Sequence, residues 1–166
     1  PGSTLKPLLF GLCIDEGLMT PKAIVTDVAV NYSGYAPENY DKQFNGYVTM
    51  EYALEHSLNI PAVKALGLLG KDKLIHKLAL CEFNQVKKDQ RKLGLSMILG
   101  GCGTSLEELT GLYTVFANGG KFIRPSLVDR KSTGSDRPNL IRAASGIKIL
   151  SPAATFMINE TLSKVN

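Results

Sequence analysis

A serine and a lysine lie three residues apart near the start of the chain, at Ser3 and Lys6. Leucines recur from residue 5 at i, i+3, i+4 and i+7, which predicts a helix that begins near Ser3 with one apolar face. Residues three apart are neighbours on a helix, so the hydroxyl and the amine can meet. An uncharged amine beside a hydroxyl is a base beside a nucleophile, and the helix dipole favours negative charge there. The pair predicts nucleophilic catalysis; a capping serine and a solvated lysine are the structural alternative.

A second polar pair, Ser57 and Asn59, follows a short apolar stretch. We expect Thr49 to cap a helix over residues 50–57, with Ser57 at its end on the buried side. Pro61 is suited to begin the next helix. In a turn between two helices, the Ser57 hydroxyl and the Asn59 amide can project into one space, where they either line a pocket or cap backbone groups.

Composition predicts one globular domain. The chain has 166 residues, of which 44% are hydrophobic and 20% charged, with a net charge of +4. Its basic residues cluster between positions 71 and 92 with few interleaved aromatics, which indicates a solvated helix face and not a nucleic-acid site. The sequence contains no run of about 18 apolar residues, so we expect no membrane-spanning helix within it. Because it begins with Pro1, we expect a piece of a longer polypeptide.

The cysteine pattern predicts no metal site. The three cysteines are widely spaced, no C-x-x-C pair occurs, and there are only two histidines. Cys13 falls on the first predicted helix, where we expect it to pack as a small apolar residue.

The remaining pattern predicts mostly helices. The expected helices cover residues 61–69, 72–80, 106–117 and 152–164, and the expected extended segments cover residues 24–30, 121–125 and 147–150. Thr104 and Glu107 have capping-box spacing before the third of these helices. Residues 31–46 are rich in Gly, Pro, Asn and Tyr and predict a long ordered loop of the kind that carries function.

Taken together, these stretches resemble the transpeptidase domain of the class A, bifunctional penicillin-binding proteins. The most specific segments are residues 1–7 (PGSTLKP), 35–41 (YAPENYD), 53–63 (ALEHSLNIPAV) and 151–154 (SPAA), and the resemblance covers essentially the whole chain. Ser-x-x-Lys and Ser-x-Asn belong to the motif set of these proteins and of β-lactamases. The resemblance implies a mixed α/β fold of the penicillin-binding protein and serine β-lactamase type, here an incomplete fragment dominated by the helical subdomain.

The resemblance also implies a role for each site residue. Ser3 is the acylated nucleophile, and Lys6 is the base that takes its proton. Ser57 relays a proton to the leaving amine, and Asn59 hydrogen-bonds the backbone of the bound peptide. The implied reaction is D,D-transpeptidation: a D-Ala-D-Ala amide acylates the serine, and a second peptide's amine, or water, resolves the acyl-enzyme. No metal or cofactor is implied.

Partners and location follow from the same resemblance. The implied partners are peptidoglycan stem peptides and β-lactam antibiotics. We expect the parent protein on the periplasmic or cell-surface face of a membrane, anchored by a segment outside this chain, with a glycosyltransferase domain implied as well.

Two features depart from the family pattern. The middle motif is Ser-Leu-Asn and not Ser-Asp-Asn, which suits a transpeptidase better than a class A β-lactamase. Lys-Thr-Gly is absent, and residues 131–134 (KSTG) have one residue too many. In the family, that motif lies on a strand after the helix that here ends near Asn166. We therefore expect residues 1–166 to be a partial domain without this strand and without the strands before Ser3. Such a piece would be acylated slowly and would form homodimers through open sheet edges.

Two other functions remain open at this point. A β-lactam-sensing receptor domain would be acylated without turnover, and a membrane-spanning signalling segment upstream would favour it. A β-lactamase would hydrolyse penicillin rapidly. A glycosyltransferase module upstream would favour the transpeptidase.

Overall fold

The structure, a computed structural model, describes residues 1–126 and 146–165. Its elements in chain order are a 3-10 helix at Gly2–Leu5, α1 (Lys6–Asp15), β1 (Ile24–Asp27), β2 (Gly46–Thr49), α2 (Met50–Glu55), α3 (Asn59–Leu69), α4 (Lys71–Leu80), α5 (Asn84–Asp89), a 3-10 helix at Leu95–Leu99, α6 (Leu106–Ala117), β3 (Lys121–Phe122), β4 (Ile147–Lys148) and α7 (Pro152–Leu162). The Lys-Ser-Thr-Gly run at 131–134 lies outside the described residues. None of the helices within them is both long and apolar enough to cross a membrane.

Helix α1 forms the centre of the core. The leucine spacing predicts one apolar face, but the structure buries every residue from Lys6 to Cys13. Helices α3 and α7 both pack against α1. Gly11 permits a close approach, because a Cβ there would lie 2.9 Å from Leu150 Cδ1. The all-round burial was missed because Phe10, Gly11 and Cys13 do not occupy the leucine positions that define the helical period.

The described strands form two small antiparallel ribbons. In the first, β1 pairs with β2, so that Ile24 lies opposite Thr49 and Asp27 opposite Gly46. In the second, β3 pairs with β4. The strand predicted over residues 24–30 is shorter than expected, and β2 was not predicted at all, because four residues after a long loop are too few to show alternation. The helices, not the strands, therefore dominate the described residues.

Capping residues begin the two helices for which caps were predicted, with one correction. Thr49 caps α2, as expected. The capping box of α6 consists of Ser105 and Glu108, not of Thr104 and Glu107: Ser105 Oγ accepts from Glu108 N at 3.1 Å, and the Glu108 carboxylate accepts from Ser105 N at 2.8 Å. Both pairs have the required spacing and residue types, so the sequence alone could not show which of them forms the capping box. The Thr104 hydroxyl instead donates to the same Glu108 carboxylate at 3.0 Å.

The cysteines serve packing. Cys13 and Cys81 are buried free thiols, and burial raises the pKa of each to about 12. Both thiols therefore stay protonated and unreactive near neutral pH. Cys102 is half-buried.

Two glycines with left-handed backbones follow helix α6, with φ of 58° at Gly119 and 93° at Gly120. Gly120 N donates to Val115 O at 2.8 Å, which ends the helix as a Schellman turn. Gly120 O then accepts from the backbone N–H groups of Ile149 and Leu150. A Cβ at Gly120 would lie 2.3 Å from Leu150 O, whereas a Cβ at Gly119 would meet open space.

These two glycines give a matched test of the fold. Gly119→Ala should lower the free energy of unfolding by only about 1–2 kcal/mol, the usual penalty for a left-handed L-residue. Gly120→Ala adds a clash with fixed backbone, so we expect a loss of about 2–5 kcal/mol. Urea unfolding of both variants provides the comparison. Equal midpoints would show that α6 and the segment before α7 are not in the close contact described.

Candidate active site

The Lys6 side chain is the buried centre of the site. It occupies the first position of α1 and is only 1% exposed. Its Nζ atom lies 2.6 Å from the backbone oxygen of Ser57, 2.8 Å from Asn59 Oδ1 and 3.2 Å from Ser57 Oγ. One nitrogen atom thus contacts residues that lie more than fifty positions away in the sequence.

The three neighbours of Lys6 suit both protonation states of its amine. An ammonium group donates three hydrogen bonds, and all three oxygens can accept. A neutral amine donates two, which the Ser57 carbonyl and the Asn59 amide oxygen can accept, and its lone pair can then accept from the Ser57 hydroxyl. Burial lowers the pKa of Lys6 from 10.5 to about 8. Only the contact between Lys6 and the Ser57 hydroxyl has to reverse direction when a proton is gained or lost.

The turn between α2 and α3 carries Ser57. The sequence pattern placed Ser57 at the buried end of a helix, but α2 ends at Glu55 and Ser57 is exposed. Its backbone is left-handed, with φ of 51°, which is uncommon for a residue other than glycine. The adjacent N–H groups of Ser57 and Leu58 are bonded to Leu54 O and Ala53 O, so the turn is held in this conformation. This conformation brings both the carbonyl and the hydroxyl of Ser57 to Lys6.

Ser3 lies on the 3-10 helix that precedes α1, and its side chain is exposed. Two contacts from distant residues hold this short helix. Tyr113 Oη donates to Thr4 O at 3.1 Å. Gly100, whose φ is 104°, lies so close that a Cβ there would be 2.9 Å from Gly2 N. The predicted helix start is therefore a 3-10 turn, followed by α1 at Lys6.

The structure brings Lys6, Ser57 and Asn59 into direct contact but leaves Ser3 at the rim. No hydrogen bond joins Ser3 Oγ to Lys6 or to any other residue within 1–126 and 146–165. The Ser3 backbone carbonyl accepts from Lys6 N, which continues the chain into α1. The nucleophile expected at Ser3 thus faces solvent with a free hydroxyl, one helical turn from the buried amine.

Asn59 links the lysine to the loop over residues 28–45. Its Oδ1 accepts from Lys6, and its Nδ2 donates to Glu38 O at 2.8 Å. Asn39, in the same loop, also contacts Asn59 and reaches the buried carboxylate of Asp27. Sequence reasoning did not single out Asp27. The available signal was an acidic residue at the end of a stretch of β-branched residues.

A cavity of about 230 Å³ opens beside Ser57, between the α2–α3 turn and this loop. Tyr40, Asp41 and His56 are among the residues that line it. The His56 ring stacks on Tyr52, with ring centroids 3.8 Å apart. A ligand in this cavity would contact Ser57 from the solvent side of the turn.

Comparison with known proteins bears on the family. The model of the penicillin-binding protein transpeptidase domain matches residues 1–165. Penicillin-binding protein 1C of Escherichia coli (strain K12) is 40% identical over 121 residues, which are 73% of this chain and 16% of that protein. Penicillin-binding protein 1F of Bacillus subtilis (strain 168) is 34% identical over 131 residues, 77% of this chain and 18% of that protein. The matched residues therefore make up less than a fifth of the length of these relatives.

Solved structures agree on the fold. Penicillin-binding protein 1A from Haemophilus influenzae superposes with a TM-score of 0.77 at 20% identity, over 99% of this chain and 29% of that one. The D,D-transpeptidase domain of a peptidoglycan glycosyltransferase from Eggerthella lenta gives a TM-score of 0.77 at 19% identity, over 99% and 48%. The expected mixed α/β fold, rich in helices here, is confirmed. With the match over residues 1–165, this chain belongs to the penicillin-binding protein transpeptidase domain family.

Proposed function

We propose that Ser3, Lys6, Ser57 and Asn59 carry out serine acyl transfer in a peptidoglycan D,D-transpeptidase. The observation that carries the proposal is the Lys6 amine, which is buried, has its pKa lowered to about 8, and is held by Ser57 and Asn59. A lysine that can lose its proton near neutral pH is a usable base. It stands one helical turn from an exposed serine whose hydroxyl has no hydrogen-bond partner among the described residues.

In the acylation step, Ser3 Oγ attacks the carbonyl carbon of the peptide or β-lactam amide. The Ser3 proton passes to Lys6 Nζ, the C–N bond breaks, and an ester forms on Ser3. The new ammonium donates to Ser57 Oγ, whose own proton moves to the departing nitrogen. This relay uses the one hydrogen bond of Lys6 that can reverse its direction. The positive end of the helix dipole at the start of α1 favours the negative charge that develops at Ser3.

In the second step an acceptor amine of another stem peptide attacks the ester and restores the Ser3 hydroxyl. Asn59 Nδ2 donates to Glu38 O and has a second N–H, which is suited to hydrogen-bond the backbone of the bound peptide. The substrates we propose are stem peptides that end in D-Ala-D-Ala, and β-lactams acylate the same serine. The parent protein then works at the periplasmic or cell-surface face of a membrane to which it is anchored.

The two other functions share the acylation step and differ afterwards. A sensor domain would keep the acyl group and transfer it to no amine. A β-lactamase would pass it quickly to water. Two reactions of the full-length protein distinguish the three functions by their products. One contains stem peptide with an amine acceptor, and the other contains penicillin. The domain match favours the transpeptidase.

Ser3→Ala should abolish labelling of the full-length protein by a fluorescent penicillin, because the ester oxygen is removed. The matched control is Thr4→Ala, one residue away, since the Thr4 hydroxyl is already committed to Pro1 O at 2.7 Å. Gel fluorescence and intact mass report the adduct. Thr4→Ala should still be labelled, and labelling that survives in Ser3→Ala would refute the assignment of the nucleophile.

Lys6→Arg should reduce the acylation rate by about 10²-fold or more, although the positive charge is kept, because a guanidinium does not release its proton at usable pH. Lys77→Arg is the control: Lys77 Nζ also donates to a backbone oxygen, that of Ile149 at 2.9 Å, but lies outside the site. Stopped-flow acylation measures both. A Lys6→Arg protein with near wild-type rate would mean that Lys6 acts as a fixed charge and not as a base.

The acylation rate at saturating β-lactam should depend on pH through Lys6. Below about pH 8 the amine is protonated and cannot accept the Ser3 proton, so the rate should fall about tenfold per pH unit. Above that value it should level off. An inflection near 10.5, the ordinary lysine value, would show that burial does not lower the pKa of this amine in the working enzyme.

A further inference from the structure

A buried carboxylate lies at the end of the hydrogen-bond chain that starts at Lys6. Asp27 is fully buried, at the last position of β1. Asn39 Nδ2 donates to both of its oxygens at 2.8 Å, and Asn45 donates to Oδ2 through its backbone N at 2.9 Å and its Nδ2 at 2.7 Å. Within residues 1–126 and 146–165 no lysine or arginine forms an ion pair with Asp27. Amide donors alone compensate a charge whose burial is otherwise costly.

Asn39 can adopt only one orientation of its amide. Its Nδ2 faces the Asp27 carboxylate and Gln43 O, which only accept, so its Oδ1 must face the other way. There it accepts from Asn59 N at 2.8 Å and from Ile60 N at 3.5 Å. These N–H groups open helix α3, whose N-cap residue, Leu58, has no capping side-chain bond. Asn39 therefore caps α3 from a distant loop.

The cap fixes the residue that binds the lysine. Asn59 is held at three points: its N–H by Asn39, its Nδ2 by Glu38 O, and its Oδ1 by Lys6 Nζ. Two of these points come from the loop that Asp27 anchors. A continuous path of hydrogen bonds thus runs from the Asp27 carboxylate through Asn39 and Asn59 to the Lys6 amine.

We propose that Asp27 and Asn39 are positioning residues for acyl transfer, which set the place of Asn59 and, through it, of the Lys6 amine. The Asp27 charge polarises the Asn39 amide and strengthens its oxygen as an acceptor for the first N–H groups of α3. Because Lys6 donates to Asn59, a shift of the start of α3 moves the proton acceptor away from the serine. The inference rests on the proposed function and adds two residues that touch neither substrate nor reacting atoms.

The test uses the full-length protein and Asn39→Ala. A displacement of about 1 Å at the base costs about 10²-fold in rate, so the acylation rate constant at saturating penicillin should fall by that order. The control is Lys64→Met. Lys64 lies on α3 and donates to Thr26 O at 3.0 Å and Thr26 Oγ1 at 2.6 Å, which ties the same helix to the residue before Asp27 without touching Asn59. Its rate constant should stay within about twofold of wild type.

A rescue experiment separates positioning from general stability. Asn39→Asp sets two carboxylates face to face and should acylate as slowly as Asn39→Ala. Adding Asp27→Asn restores a donor–acceptor pair in the opposite sense and still presents an oxygen to Asn59 N–H, although Gln43 O loses the donor that Asn39 supplies in the wild type. The double variant should acylate at least about tenfold faster than Asn39→Asp alone. A double variant no faster than Asn39→Asp would overturn the inference, as would an Asn39→Ala rate constant within about twofold of wild type.

Hydrogen–deuterium exchange distinguishes this inference from the proposed function. Exchange at the Asn59 and Ile60 amides should quicken in Asn39→Ala and stay unchanged in Lys64→Met, whether or not the protein reacts with penicillin. Wild-type protein that forms no Ser3 adduct would refute the proposed function while leaving this readout in force. Unchanged exchange in Asn39→Ala would overturn the inference, and so would faster exchange with an unaltered acylation rate constant.

Discussion

Burial of the Lys6 amine is the constraint on which the rest of the structure depends. An amine withdrawn from water loses hydration free energy unless oxygen atoms replace the lost water. Two of the three oxygens belong to Ser57 and the third to Asn59, so the α2–α3 turn must lie against the start of α1. That placement is stable only if α1 itself cannot move, and the core surrounds it on every side. The helical core and the site are therefore one arrangement.

Backbone strain at Ser57 accompanies this arrangement. Ser57 is held at φ of 51°, a conformation that costs roughly 1–3 kcal/mol at a residue other than glycine. A glycine there would relieve the strain and lose the hydroxyl that contacts Lys6. Gly100 shows the opposite solution: its φ of 104° serves a close backbone approach to Gly2 and needs no side chain. Ser57 thus combines a strained backbone with a side chain that contacts Lys6, whereas Gly100 needs only its backbone conformation.

The sequence predicted that Lys6, Ser57 and Asn59 lie near one another, but not the conformations that bring them together. The spacing of Ser3 and Lys6 and the pair Ser57 and Asn59 could be found because helical periodicity is local. The exposure of Ser57 could not be predicted. Helix α2 ends two residues earlier than expected, and a left-handed turn that tertiary contacts hold follows it. Asp27 was missed for a different reason. Its partner Asn39 lies twelve residues away in an irregular loop, and no periodic pattern connects a strand end to a loop amide.

Burial of Lys6 also has a thermodynamic consequence for the fold. With the pKa at about 8 in the folded protein and 10.5 ordinarily, the unfolded chain binds the proton more strongly between these values, and the free energy of unfolding rises with pH across that window. At neutral pH both states hold the proton, so the penalty for burying the ammonium is fully present. The leucines of α1, each worth about 1.5–3 kcal/mol when fully buried, are the nearest source of compensation. The burial that lowers the pKa of Lys6 therefore also lowers the free energy of unfolding near neutral pH. The packing of α1 on all sides offsets this loss of stability.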